Sequence, residues 1–592
     1  MRRIIRLTAV ALAAALVAAG LVSIPAPQAG AQESPPADIL ALKEAMRTPV
    51  SAGVEASDLA VTASDASAAS ALGGGRDHRR VSNVQVSQDQ DPAANLRSGA
   101  SETTLAADRD GARLVAGWND GEGFAFAPFG TGQPALGLSG FGFSTDSGRS
   151  WTDGGAPQPG NVVAFGPGTQ GRSATGNYVT RGDPWLDQNG RGSFYYANLA
   201  VWEDDAANPP AGVSIHRGSF RGRNFTWDSP VLIQSPNYPD DFLDKEALAV
   251  DRIGNRTALY VTLTNFIAVC GQPFFGFGQI ELYRSLDGGT SWSRTIIQPD
   301  ETIVTDPSDP ACGADGVENQ GSAPAVGPNG ELYVAWERGQ DAPLVGGSVL
   351  PRATIAFASS TDRGASFTAP STVASICSGA NDEPAAYNRT SSNDFPRIAV
   401  AQSGRHRGRI YLTYQDCSAA SGSAPFGADT DVYVTFSDDR GAHWSTPRPV
   451  HRVADGRQQF WPVVSVGEHG EVDVTYYDMQ DVNVTPEPND IECSVRTGGP
   501  LDDPILKQST VTTFSDVFTV RSTDGGRTWR RPVRLTDTTT NWCAATPINS
   551  IIPNFGDYIT SLTPDERVLA TWGDGRNAGI TDRVPTTWFG RR

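Results

Sequence analysis

From about Val81 onward the chain runs as short apolar, β-branched and aromatic stretches punctuated by Gly, Asp and Pro. Runs of that length between such breakers predict strands and tight turns, and hence an all-β domain. One unit recurs: an apolar strand, a Gly-containing turn, then a strand rich in Tyr, Val and Trp. Its copies begin at Thr103, Pro184, Ala247, Pro324, Pro396, Pro462 and Tyr558, and their second strands are anchored on Leu114, Phe194, Leu259, Leu332, Ile410, Val472 and Val568. These are seven repeats of one supersecondary unit.

A second pattern, Ser-x-Asp-x-Gly-x-x-aromatic, occurs five times, from Ser144, Ser285, Ser360, Ser437 and Ser522. The last four copies are nearly evenly spaced, and the first gap is about twice as long. That gap holds a degenerate sixth copy, Ile215 to Trp227, which keeps the strand and the aromatic tail but lacks the aspartate. The pattern suits a tight turn between antiparallel strands. The carboxylate accepts backbone N–H groups of its own loop, the glycine takes a backbone conformation other residues resist, and the aromatic packs into the sheet interior. Asp146, Asp287, Asp362, Asp439 and Asp524 are therefore structural rather than catalytic.

Each repeat alone cannot bury its faces, so the seven should stack into one cooperative seven-bladed β-propeller, residues 81–592. Arg592 falls after the third strand of the seventh repeat, which leaves that blade with an open edge. The alternating segment Val81 to Gln88 is placed to supply the fourth strand and close the ring.

The N-terminus reads differently. Arg2, Arg3 and Arg6, an apolar stretch from Leu7 to Val22, and Ala29-Gly30-Ala31 form an export signal over residues 1–31. Residues 32–80, rich in Ala, Ser, Pro and Gly, read as a disordered lead-in or pro-segment. The expectation is a secreted, extracellular protein, monomeric and without a membrane span. A formal charge of -19 argues against nucleic acid or anionic lipid as a partner. Six cysteines in an exported chain suggest three disulfides, with neighbours in order preferred: Cys270 with Cys312, Cys377 with Cys417, Cys493 with Cys543. No metal-ligand spacing is present and no cofactor is expected, although the acidic stretch from Asp240 leaves room for a structural calcium ion.

Chemistry in a propeller is expected where the inner strands begin, at one mouth of the central channel. Those positions carry Glu102, Asp183, Asp244, Glu246, Glu318, Asp394, Phe460, Trp461, Asp557 and Tyr558. Single residues of this kind suit any hydrated channel mouth. Their recurrence over the seven repeats is what selects this face.

The Ser-x-Asp-x-Gly turns resemble the Asp-box (BNR) repeats of sialidases and related propeller glycosidases, over roughly residues 100 to 590. The resemblance implies a tyrosine nucleophile with a glutamate beside it, an aspartate acid/base, and arginines that clamp an acidic sugar. Residue by residue it implies Tyr558 as nucleophile, Glu318 as its glutamate and Asp183 as the acid. Arg338, Arg576 and Arg181 become candidate substrate arginines, joined by Glu246 and Trp461. No Arg-Ile-Pro sequence precedes the first turn, and the repeats number seven where sialidases have six.

Three readings follow. The first is a sialidase-like glycoside hydrolase acting on terminal, including sialic, sugars of extracellular glycans. The second is a non-catalytic propeller that binds glycan or protein through the same face. The third is a polysaccharide lyase, which needs a Tyr or His base opposite a charge neutraliser.

Overall fold

In a computed structural model, the structure describes residues 82–88, 100–120, 139–157, 182–202, 211–235, 237, 240–270, 276–304, 314–340, 352–377, 395–417, 430–451, 458–482, 513–541, 556–576 and 585–592, with short pieces at 162–164, 173–174 and 178–180. The signal and lead-in segments lie outside these residues, as do Arg181, Asp394, Cys312, Cys493 and Cys543. Cys270 is disulfide-bonded. Among the described residues no helix is long and apolar enough to cross a membrane.

The described strands form seven sheets around one axis, antiparallel but for one parallel pair in blade 2, with a separate two-stranded ribbon of Ile303–Val304 and Ala314–Asp315; this is a seven-bladed β-propeller. Blade 3 shows the unit: inner strand Phe242–Ile253, then Arg256–Phe266, Gln279–Ser285 and Ser293–Gln298, each pairing with the next. The alternation of the sequence becomes two faces of each blade, and both are covered because each blade lies against its two neighbours. Seven apolar clusters result, one in each seam. Between blades 1 and 2 lie Val115, Phe141, Phe194, Tyr196 and Phe225. Between blades 6 and 7 lie Phe460, Tyr477, Val517, Val568 and Trp572. The seven second-strand anchors are all buried.

The five Ser-x-Asp-x-Gly turns share one hydrogen-bond pattern. The serine hydroxyl donates to the aspartate, at 2.7 Å in Ser360–Asp362 and 2.9 Å in Ser437–Asp439, and accepts the N–H of the glycine. The aspartate in turn accepts the backbone N–H four residues on, at 2.9 Å in Asp362–Ser366. The hydrogen bonds from Ser366 and Ser360 hold the Asp362 carboxyl well below its ordinary range. Gly441 has φ +87, and a Cβ there would overlap the Phe357 ring. The aromatic tails Trp151, Trp292, Phe367, Trp444 and Trp529 each lie against the cluster in the seam with the preceding blade. The turns thus tie blade to blade. In the degenerate copy, Ala211–Arg221 and Asn224–Trp227 still form the hairpin, with Gly222 at φ +67.

Ring closure is as the unpaired edge required. Blade 7 consists of Thr560–Leu562, Leu569–Asp574 and Thr586–Arg591, and its outer strand is the N-terminal Val84–Gln85, in register Val84 with Phe589 and Gln85 with Trp588. Val86 continues the pairing, donating its N–H to Thr587 at 2.8 Å, and is buried with Trp118, Leu569 and Phe589. Val86→Asp would bury an unpaired carboxylate there and is expected to cost roughly 3 kcal/mol. Urea unfolding checks this, and a parent-like midpoint would show that the N-terminal strand does not close the ring.

Candidate functional site

In six of the seven blades the inner strand is entered through a local irregularity, a register slip or a left-handed residue. The register slips between Ser101 and Thr104, between Asp244 and Ala247, between Gln320 and Ala323, and between Phe460 and Val463. At that bulge the backbone takes a left-handed turn: Glu102 (φ 50), Asp183 (φ 54), Lys245 (φ 50) and Trp461 (φ 48), with Gly321 and Gly556 at the matching places in blades 4 and 7. A residue with a Cβ pays of order 1 kcal/mol or more to sit there. Gly556 is required in its place because a Cβ would overlap Glu102. The bulge re-aims side chains toward the axis. In blades 1 to 3 those side chains are charged, and they meet.

Lys245 Nζ lies 2.8 Å from Asp557 Oδ2, 3.1 Å from Asp183 Oδ2 and 3.5 Å from Glu102 Oε1, so four blades meet on one ammonium. Asn119 Nδ2 donates to Glu102 Oε2 at 2.9 Å, and Asn119 Oδ1 accepts the Asp183 N–H at 2.7 Å. Glu102 and Asp183 are hydrogen-bonded to each other, and their proton affinities diverge. Burial, then the charge of Asp183, push the Glu102 carboxyl well above its ordinary range. Burial also opposes ionisation of Asp183, but the Lys245 ammonium and the hydrogen bond from Glu102 prevail and hold it below its ordinary value. Lys245 is raised well above its ordinary value: burial disfavours its charge, and Asp183, Asp557 and Glu102 outweigh that.

Trp185 and Tyr558, two residues past the left-handed Asp183 and Gly556, form a stack with Arg397, which holds the equivalent place in blade 5. The Arg397 guanidinium lies 4.4 Å from the Trp185 ring centre and 4.8 Å from that of Tyr558, whose rings are 5.8 Å apart. Among the described residues Arg397 makes no ion pair, and burial lowers its proton affinity to about 10, so it stays charged at neutral pH. The Tyr558 hydroxyl donates to the Pro184 carbonyl at 3.0 Å, and burial, then Glu102, push its ionisation well above the ordinary value. Glu246 is buried with no side-chain partner for either carboxyl oxygen among the described residues, and burial, then Asp183, push it well above its ordinary range.

Glu102, Asp183, Glu246, Asp557 and Tyr558, five of the residues singled out in the sequence, thus converge here. Others are engaged elsewhere. Arg338 makes a two-pronged pair with Glu301 at 2.8 and 2.7 Å. Arg576 pairs with Asp574 and Asp537, donates to Asn83 and stacks on Trp588, bracing the closed blade 7. On the Glu318 strand it is Gln320 that reaches this region, donating to Asp244 at 3.3 Å. Trp461 packs in the seam with Phe460 and Tyr477, and its N–H donates to Gln415. In the acidic stretch from Asp240, Asp241 accepts hydrogen bonds from Ser235, Asn237 and Asn265. Lys245, Arg397, Trp185 and Asn119 were not found by sequence. Register held a signal for two of them, since Arg397 and Trp185 follow X-Pro pairs at the same spacing as Tyr558 follows Gly556-Asp557.

At the other mouth the turns after the inner strands surround an open cavity of about 590 Å³ lined by Asp108, Arg109, Arg113, Arg191, Glu468 and Asp565. Arg109 and Glu468 pair there at 3.1 Å while largely exposed. It is a solvated charged rim and lacks buried acids and aromatics.

No protein-family model matches the chain, and no curated protein matches it. Solved structures do. The GH93 alpha-L-arabinofuranosidase of Fusarium graminearum is 13% identical over 67% of this chain and 93% of its own, with TM-score 0.38. The alpha-L-arabinanase of Penicillium chrysogenum is 11% identical over 67% and 94%, TM-score 0.36. The intramolecular trans-sialidase of Ruminococcus gnavus is 12% identical over 68% and 94%, TM-score 0.35.

Glu246 offers a direct check on the electrostatics. Above the ordinary glutamate range the unfolded chain releases a proton that folded Glu246 keeps, so this residue makes stability fall as pH rises. Glu246→Gln is expected to unfold at a higher temperature than the parent near about pH 7.5, with the difference closing toward about pH 4. Thermal unfolding across pH decides it, and a variant no more stable at neutral pH would mean that the carboxyl is ionised in the fold.

Proposed function

We propose that the protein is a secreted glycoside hydrolase whose site is the channel mouth at Glu102, Asp183 and Lys245. The observation that carries the reading is a hydrogen-bonded carboxyl pair with proton affinities pushed apart, beside an aromatic and guanidinium wall. Two carboxyls in opposite protonation states supply an acid and a conjugate base at one pH. The Asp183 side chain is 10% exposed against 2% for Glu102, so Asp183 meets the glycosidic oxygen and Glu102 stands behind it. The proton shared by the pair passes through Asp183 to the departing oxygen as the glycosidic C–O bond breaks, and the water whose hydroxyl replaces it returns its second proton to the Asp183 carboxylate, restoring the singly protonated pair.

Trp185, with Tyr558 behind it, offers a face on which a sugar ring stacks, and Arg397 offers the one cation of the mouth not engaged by a carboxylate among the described residues. That guanidinium suits an acidic sugar, which keeps a sialic substrate within the proposal. In this reading Tyr558 is a wall of the site, since its hydroxyl is spent on the Pro184 carbonyl. The second reading, a non-catalytic glycan-binding propeller, draws on Lys245, whose contacts with three carboxylates would make the cluster a structural knot.

Purified protein assayed on fluorogenic glycosides, a sialoside and an arabinofuranoside among them, separates the two. Hydrolysis is expected, with kcat reduced about 100-fold or more in Asp183→Asn, KM little changed, and most turnover kept in Tyr558→Phe. Turnover that survives Asp183→Asn would remove the proposed acid. No turnover by the parent, together with retained glycan-array binding, would leave the second reading.

A further inference from the structure

We propose that Lys245 is a positioning residue that decides where the proton of the mouth resides, holding Asp183 as the anion and leaving the proton on Glu102. Its value to catalysis rests on the hydrolase reading above. The protonation order itself does not.

The argument is geometric. The chain has three lysines, and this one occupies a bulge position where blades 1 and 2 carry carboxylates and blades 4 and 7 carry glycine. The left-handed backbone at Lys245 turns its side chain across the axis rather than along the strand. Its ammonium then lies nearer to Asp183, at 3.1 Å, than to Glu102, at 3.5 Å. Asn119 breaks the symmetry further. Its Oδ1 is held by the Asp183 N–H, so its Nδ2, a neutral donor, must face Glu102 Oε2; Glu102 Oε1 takes only the longer contact to the ammonium, while Asp183 takes the shorter one and is hydrogen-bonded to Glu102. Asp557, at 2.8 Å on the other side, anchors the ammonium and is fully buried. A group that accepts two charged or acidic donors is the one that ionises.

The other charged groups facing this cluster are Asp244 and Glu246 from the same strand, Asp557 and Tyr558 from blade 7, and Arg397 from blade 5. None supplies a second cation in contact with Asp183 among the described residues. Removing the Lys245 charge therefore leaves the pair without its bias, and Asp183 takes up its proton at higher pH. Removing the Asp557 charge acts in the opposite sense, since the undivided ammonium then favours the Asp183 anion more strongly.

The test compares the parent with Lys245→Met, Lys245→Arg and Asp557→Asn. In the pH profile of turnover the acid limb is expected to move up by at least one pH unit in Lys245→Met, to return toward the parent in Lys245→Arg, and to move down in Asp557→Asn. A folded Lys245→Met with an unmoved limb overturns the proposal. If Lys245→Met does not fold, an unmoved or raised limb in Asp557→Asn overturns it equally. If the parent shows no turnover, the hydrolase reading fails by itself, and protein labelled with carbon-13 at aspartate and glutamate carboxyls still decides the proton order. The Asp183 signal, assigned by its loss in Asp183→Asn, should titrate at lower pH in the parent than in Lys245→Met, and at lower pH than the Glu102 with which it is paired. The same titration in both chains, or an Asp183 that titrates above Glu102 in the parent, counts against Lys245.

Discussion

Like charges do not share a buried site unless something of the opposite sign is placed among them, and at the mouth of this propeller that something is one ammonium. Glu102, Asp183 and Asp557 arrive from three blades, and Lys245 from a fourth lies within 3.5 Å of each. At such separations a pair of unit charges interacts by several kcal/mol even at an effective dielectric constant near 20. An uncompensated group of carboxylates would instead protonate or push the inner strands apart. Glu102 and Glu246 show the first outcome: each is held neutral where the ammonium does not prevail.

The placement of these groups is written in backbone strain. Three charged residues and Trp461 accept a left-handed conformation that glycine takes in blades 4 and 7. Such strain persists only where its surroundings over-determine it. The seven seams do that here. Each buries an apolar layer between adjacent blades, and in five of them the aromatic tail of a Ser-x-Asp-x-Gly turn adds to the layer. The closed ring, with Val84–Gln85 seated on the last strand, leaves no blade free to rotate the mouth open.

The propeller was legible because its signals are local. A turn that needs Ser, Asp and Gly at fixed spacing prints itself five times, and a seventh repeat one strand short points to the segment that completes it. The candidate site was legible only in part. Asp183, Glu246, Asp557 and Tyr558 could be picked out because carboxylates and aromatics recur before the inner strands. Arg338 and Arg576 look the same in sequence as a substrate arginine, but Arg338 is taken by Glu301, 37 residues away, and Arg576, besides its neighbour Asp574, by Asp537, 39 residues away. Long-range pairing of that kind carries no local pattern. Lys245 sat between two residues already singled out, yet a cation amid acids reads as surface charge until the bulge that turns it inward is seen.

The mouth also has a direction. The carboxylates gather around Lys245 on blades 1, 2, 3 and 7, whereas Arg397 comes from blade 5 and reaches Trp185 and Tyr558 with no anionic partner among the described residues. A guanidinium between two rings keeps its charge through the ring quadrupoles rather than through a carboxylate, so its donors stay open to whatever enters. A ligand with an acidic or strongly accepting group gains by placing it there, and its ring then lies along Trp185 with the opposite end toward Asp183. The separation of Arg397 from the carboxylates around Lys245 therefore gives the mouth two ends of different charge, a condition that favours one orientation of a polar ligand over the reverse.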